Sequence, residues 1–325
     1  MTRTRSLAAS LMTLSAAAVL ALAAAGGATA APAASDDKKA TSVTSATVDS
    51  TGVAEYWTAD RMRTAIPGDV LAGKALERGK SSSAASIEKG ANTKVPGTKG
   101  KPTLAESEPA VSHIGKVFFT LADVNYVCSG NAVASANEST VATAGHCVNE
   151  GPGTFATNFA FVPAYENSTR QYGTWTAKAL YAPTEWSSNG DIGYDTGFAV
   201  MNRLDGKKLS DVVGSSGVEF NAARGLAYKS FGYPAASPFN GETLKSCKGT
   251  ATNDPYHPLF MTQGIPCDMT GGSSGGPWFI QKSSTTGSGG LQNSINSYGY
   301  NRSAVMYGPY WGSVIRDTYS NAAAS

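Results

Sequence analysis

All three histidines of the chain, His113, His146 and His257, come before the run Gly271-Gly272-Ser273-Ser274-Gly275-Gly276-Pro277, and that order restricts the folds to which the run can belong. A serine flanked by glycines suits a nucleophile held in a tight turn. Glycine admits φ > 0, so the amides of Gly272 and Ser274 can be aimed at one point, as an oxyanion hole requires. The hydroxyl is a poor nucleophile until an imidazole removes its proton. In the α/β-hydrolase elbow that histidine follows the serine in the chain. None follows Ser274 here, so the hydrolase order is excluded and the order His, Asp, Ser remains. The candidate base is His146, within Thr143-Ala144-Gly145-His146-Cys147.

From residue 106 onward, short apolar and β-branched runs alternate with Gly, Asn, Pro and Ser turns. Examples are 115–121, 127–133, 154–163, 175–181, 197–201, 227–233, 277–281 and 304–307. That spacing predicts an all-β sandwich or barrel. Only the end, from about 313 to 319, reads as helix. The 283–290 stretch reads as a flexible hairpin tip, and His113, ahead of the first strand, as exposed. His257 reads as a loop histidine, and Tyr298, Tyr300, Tyr307, Tyr310 and Trp311 as packing residues.

The amino-terminal third has a different composition. Arg3 and Arg5 precede an apolar stretch from Leu7 to Ala25 and the small-residue site Ala28-Thr29-Ala30, which reads as a secretory signal over 1–30. No other segment approaches the roughly 20 apolar residues of a membrane span. Residues 31–105 are rich in Ala, Ser, Thr, Lys and Gly and read as a poorly structured propeptide, with 94–101 as an exposed processing region. The exception is a short helix capped by Thr58, presenting Met62 and Ile66 before Pro67 stops it. This stretch carries 11 basic against 8 acidic residues, and 106–325 carries 13 against 16. Opposite signs favour docking of the two, weakly at physiological salt. The mildly acidic larger part has no basic cluster, which argues against nucleic acid.

The His146 segment and the run Cys267-Asp268-Met269-Thr270-Gly271-Gly272-Ser273-Ser274-Gly275-Gly276-Pro277-Trp278 resemble the trypsin-like, chymotrypsin-fold serine endopeptidases, and among them the secreted bacterial enzymes of the glutamyl-endopeptidase-like branch. The resemblance covers roughly 106–320. It implies two six-stranded antiparallel β-barrels closed by a short C-terminal helix, with His146 as general base and Ser274 as nucleophile. The third member lies in Asn189–Met201, where Asp191 and Asp195 are the candidates. In the family this Asp opens a strand, two residues before a small residue and an apolar run. Asp195, followed by Gly197-Phe198-Ala199-Val200-Met201, fits that pattern; Asp191 reads as a turn residue after Asn-Gly. The family pairs the cysteine beside the base with one on an earlier strand, which implies Cys128 with Cys147 and leaves Cys247 for Cys267. Each bridge closes a loop of about 20 residues, for which the chain-entropy estimate is roughly 3 kcal/mol.

Specificity is less legible. Asp268 stands at the offset where trypsin-like enzymes place the carboxylate that binds Lys or Arg, yet the glutamyl branch can carry Asp there without basic preference. Glutamyl specificity normally uses a pocket histidine in the segment matching Ile295–Gly299, and this chain has none. Asn296 and Ser297 suggest a neutral polar pocket wall, and Ser297-Tyr298-Gly299 an edge that pairs with substrate backbone. Ser273 replaces the aspartate with which the trypsin branch senses its new amino terminus, so latency is expected to come from the propeptide. The expectation is a monomeric, extracellular endopeptidase of protein or peptide substrates, with its own propeptide as partner and no cofactor or metal. An inactive homologue acting as a secreted binding protein, and an esterase with the same triad, are the alternatives.

Overall fold

The computed structural model describes residues 42–79, 90–95, 108–281, 290–300 and 303–325. The expected signal at 1–30 and most of the expected hairpin tip lie outside the described residues.

Strand Ile114–Leu121 pairs with Val124–Val133 on one side and Thr157–Pro163 on the other. Thr140–Thr143, Gly197–Met201 and Trp175–Pro183 complete the ring, so six antiparallel strands close into a barrel. All eight residues of Ile114–Leu121 are buried, and they sort by the two-residue period of a strand. Val117, Phe119 and Leu121 point into the main core, while Ile114 and Phe118 join a second cluster with Trp57 and Met62. Phe118 packs 5.3 Å from the Trp57 ring, whose Nε1 donates to the Asn158 carbonyl at 2.6 Å. The outer face of the barrel is therefore covered by the amino-terminal segment.

The second half holds two hydrogen-bonded sheets. One contains Gly217–Phe220, Ala227–Gly232, Lys245–Thr250, Pro277–Ile280 and Leu291–Ile295; the other contains Thr252–Asn253, Thr262–Pro266, Tyr298–Gly299 and Val305–Pro309. Cys247–Cys267 stitches one sheet to the other. The sheets do not close in one ring of bonds among the described residues, and Gly217–Phe220 runs parallel to Leu291–Ile295. The last helix, Ser313–Ala324, is longer than expected and sets Tyr319 5.8 Å from Phe198 and 5.2 Å from Phe220. It thereby ties the second half to the first barrel.

Residues 42–79 and 90–95 carry more order than their composition suggested. Val43–Thr47 adds to Trp175–Pro183, Ile66–Pro67 lies parallel to the start of Val124–Val133, and Thr93–Val95 adds to Gly217–Phe220. Thr58 caps the Ala59–Thr64 helix by accepting from the Arg61 amide at 3.3 Å, and Met62 is buried, but Ile66 is exposed. A further helix, Asp69–Gly79, follows directly. His113 also departs from expectation. It is fully buried, with Nδ1 2.6 Å from Asn131 Oδ1, because the chain enters the first barrel through the seam where Asn131 also meets Ser216 and Gln292. No helix among the described residues is long and apolar enough to cross a membrane.

Candidate active site

His146 sits in a single 3-10 turn, Gly145–Cys147, directly after strand Thr140–Thr143, and the Cys128–Cys147 bridge fastens that turn to the neighbouring Val124–Val133 strand. Asp195 sits just ahead of strand Gly197–Met201, which is paired with Thr140–Thr143. The pairing brings the two side chains together: Nδ1 of His146 lies 2.8 Å from Asp195 Oδ2, and the His146 amide donates to Oδ1 at 2.8 Å. A third donor, the Ser297 hydroxyl, reaches Oδ2 at 2.5 Å. With the carboxylate accepting throughout, Nδ1 carries the proton and the lone pair falls on Nε2. That Nε2 is buried and has no hydrogen-bond partner. Trp186 closes the far side, its ring 6.4 Å from the imidazole and its Nε1 bonded to the Asn149 carbonyl at 3.2 Å. Asp191 is occupied elsewhere, capping the Ile192–Tyr194 turn through the Gly193 amide at 2.9 Å. Burial raises its carboxyl above the ordinary carboxylate range.

Ser274 stands in a turn whose shape depends on Gly272 and Gly275, at φ 91° and 81°, a region that side chains with a Cβ avoid. The turn is anchored from both halves. Ser129 donates its amide to the Ser274 carbonyl at 2.7 Å and its hydroxyl to the Gly272 carbonyl at 2.9 Å, while Gly275 donates to the Asn296 carbonyl at 2.7 Å. Gly275 lies so close to Thr143 and Ala144 that a methyl group there would overlap both. The Ser274 turn is therefore packed against the segment that leads into His146, although no hydrogen bond is closed between the hydroxyl and Nε2. Apo geometry of this kind commonly tightens only with substrate bound. The amides of Gly272 and Ser274 meet no protein acceptor among the described residues.

The residues expected to line the specificity pocket divide. Asp268 is exposed rather than sunk in a pocket. The Asn296 side chain is committed inside the second half: it accepts from Ser230 and Trp278 at 2.6 and 2.7 Å and donates to the Phe231 and Ser273 carbonyls at 2.9 and 3.0 Å. Ser297 is turned to Asp195. Tyr298 is buried with its hydroxyl between Thr262 Oγ1 at 2.7 Å and Asp254 Oδ2 at 2.8 Å, and burial pushes its phenol well above the ordinary range. Tyr300 also donates to Asp254, at 2.7 Å. Gly299 lies at the exposed edge.

Two residues here were not legible beforehand. Asp254 organises the tyrosines, with only the Asn253-Asp254-Pro255 turn to hint at it. Asp69 opens the Asp69–Gly79 helix and places its carboxylate against Gly271, within electrostatic reach of His146. Cys128, His146 and Cys147 form a cluster of metal-ligand type, but both sulfurs are bound to each other.

No family model matches the chain. Two curated relatives are each 28% identical: an extracellular metalloprotease of Bacillus subtilis over 160 residues and a glutamyl endopeptidase of Bacillus licheniformis over 154. These matches cover 49% and 46% of this chain, and only 48% and 45% of the relatives, so the chain spans about half the length of the curated proteins it matches. Among solved structures, the protease Anisep from Arthrobacter nicotinovorans is 69% identical, covering 71% of this chain and 100% of that one, with a TM-score of 0.65. The thermostable serine protease AL20 from an extremophilic microorganism is 51% identical, covering 66% and 98%, with a TM-score of 0.62. With such identity to one solved protease and one solved serine protease, and with a closed barrel as its first half, the chain belongs to the bacterial serine proteases of chymotrypsin fold.

Proposed function

We propose that the chain is the precursor of a secreted serine endopeptidase, with a signal at 1–30, a propeptide at 31–105 and a catalytic domain at 106–325, acting on peptide bonds through His146, Asp195 and Ser274. The observation that carries this reading is the buried, unpartnered Nε2 of His146, held by Asp195, with the turn that carries Ser274 packed against Thr143 and Ala144 just before it.

Ser274 Oγ attacks the scissile carbonyl carbon while His146 Nε2 takes the hydroxyl proton. The carbonyl oxygen becomes an anion, accepted by the amides of Gly272 and Ser274. Collapse breaks the C–N bond, and His146 returns the proton to the leaving amine. Water then attacks the acyl-enzyme, again losing a proton to His146, and releases the acid with Ser274 restored. Asp195 stays ionised, orienting the ring and stabilising the imidazolium. The substrate backbone pairs along Ser297–Gly299, and the mature enzyme acts as a monomer without cofactor. Secretion accords with the curated relative described as an extracellular metalloprotease and with the two disulfides.

Ser274→Ala tests this. Expected is loss of protein hydrolysis and of fluorophosphonate labelling, with the urea unfolding midpoint unchanged. A wild-type domain that folds but neither labels nor cleaves would leave the binding-protein alternative standing.

A further inference from the structure

The segment before the catalytic domain does more than cover the outside of the first barrel. It also packs on the turn that carries His146 and on the turn just before Asp195. Ile66 and Pro67 lie parallel to Tyr126 and Val127, and the Gly68 amide donates to the Val127 carbonyl at 2.9 Å. Val127 adjoins Cys128, which is bonded to the cysteine beside His146. The chain then turns into the Asp69–Gly79 helix, which packs against the 145–147 turn, the 192–194 turn and Tyr298–Gly299. Leu71, Ala72, Ala75 and Leu76 form its buried stripe and share an apolar cluster with Ile192, Tyr194 and Tyr298. At the far end, Arg78 donates to the Gly151 carbonyl. The helix is thus held at both ends and along one face, directly over the residues that carry the chemistry.

At its first residue, Asp69 faces the machinery itself. A methyl group on Gly271, next to the Gly272 amide, would overlap the Asp69 carboxylate. Burial raises the Asp69 carboxyl, and the neighbouring His146 opposes the rise.

We infer that residues 66–76 are an inhibitor of this chain's own catalytic site, anchored by the Asp69 carboxylate between Gly271 and His146 and uncleaved there because the part from Asp69 onward is helix. This deepens the proposed function by naming how the site is kept silent, and it rests on Ser274 being the nucleophile. A protease edge engages an extended chain through exposed amides and carbonyls. A helix keeps those groups for itself. No residue of 69–79 can therefore present a scissile carbonyl to Ser274 while Asp69 obstructs the approach beside it.

The test uses the full-length chain and a fluorophosphonate probe, with intact and processed forms resolved on a gel. The processed form is purified free of residues 1–105, has the same sequence in every variant, and serves as the internal standard of folding and reactivity. The intact wild-type band should label at least about 10-fold more slowly than the processed one. Asp69→Ala should bring the intact band to within about 3-fold of it, as should Gly68→Val, whose side chain would overlap Cys128 Sγ. Val70→Ala, at an exposed position of the same helix, should change nothing. Mass spectrometry during processing should find no cut between Ile66 and Gly79. Equal labelling of the intact and processed wild-type bands, no response to Asp69→Ala, or a first cut inside the helix would each overturn the inference. Absence of label from both bands would overturn it together with the assignment of Ser274.

Discussion

Ser129 is bonded to Ser274 by backbone across the boundary between the two halves, amide to carbonyl at 2.7 Å, while its own carbonyl accepts from Thr143 Oγ1 at 2.8 Å. Three residues after Thr143 comes His146. The separation of His146 and Ser274 is thus set by a chain of buried bonds through one small residue, not by the loops that carry either group.

Ser129→Ala keeps the backbone bonds but removes the hydroxyl, which donates to the Gly272 carbonyl and accepts from the Tyr233 amide, both at 2.9 Å. Two buried backbone groups lose their partner, at a cost of about 1–3 kcal/mol each. Urea unfolding should show a loss of about 2–6 kcal/mol for the two together. On the proposed role of the Gly272 amide as an oxyanion donor, kcat should fall about 10-fold, with KM little changed.

Ser297→Ala tests a different support. Hydrogen bonds to a charged group contribute about 1.5–3 kcal/mol, and the Ser297 hydroxyl is one of three donors that hold Asp195. Loss of its bond should lower kcat by about 10-fold and leave the cleavage pattern on a peptide library unaltered. A changed pattern with normal kcat would mean that Ser297 touches substrate instead.

Asn296 stands at the opposite extreme. All four of its side-chain bonds are spent inside the protein. Asn296→Ala should therefore cost about 3–5 kcal/mol, as expected when a buried polar network is broken, and the residue preference of whatever folded enzyme remains should be that of wild type. Thermal unfolding and library cleavage check the two halves of this statement.

The contrast between Asn296 and Asp195 shows where sequence reading stops. Asp195 was legible because a local pattern, an acid followed by a small residue and an apolar run, repeats a family arrangement. Asn296 and Ser297 were assigned by neighbourhood to the pocket wall, and only three-dimensional packing shows that the side chain of one is bonded to Ser230, Trp278, Phe231 and Ser273 and that of the other to Asp195. The barrel strands were visible as short β-branched runs for the same local reason. The Asp69–Gly79 helix was not, since its buried stripe is half alanine and composition alone suggested a segment without a core. That stripe is buried against partners far along the chain, from the 145–147 turn to Tyr298, which no local window contains. His113 was misplaced on the same ground: position before a strand says nothing about the seam it occupies.

Lys116 supplies the clearest pH dependence. It lies in the buried strand Ile114–Leu121, its Nζ 4.3 Å from the centre of the Tyr165 ring and 5.2 Å from that of Phe118. Burial brings its pKa down from the ordinary lysine value to about 8, with Glu242 opposing. The unfolded chain binds this proton up to about pH 10.4, whereas the folded chain releases it near pH 8. Between those values the unfolded state holds more protons, so stability rises with pH. The sign is opposite to that of a lysine held in an ion pair. Over the full window the gain amounts to roughly 3 kcal/mol at one pKa unit per about 1.4 kcal/mol. Lys116→Met, which keeps the aliphatic stem and drops the charge, should remove this slope. Urea unfolding of wild type and variant from pH 7.5 to 10.5 measures the difference directly: the two stability curves should converge as pH rises, with the variant's advantage greatest at the acid end. Parallel curves would mean that the ammonium is better solvated in the folded chain than its burial against Tyr165 and Phe118 implies.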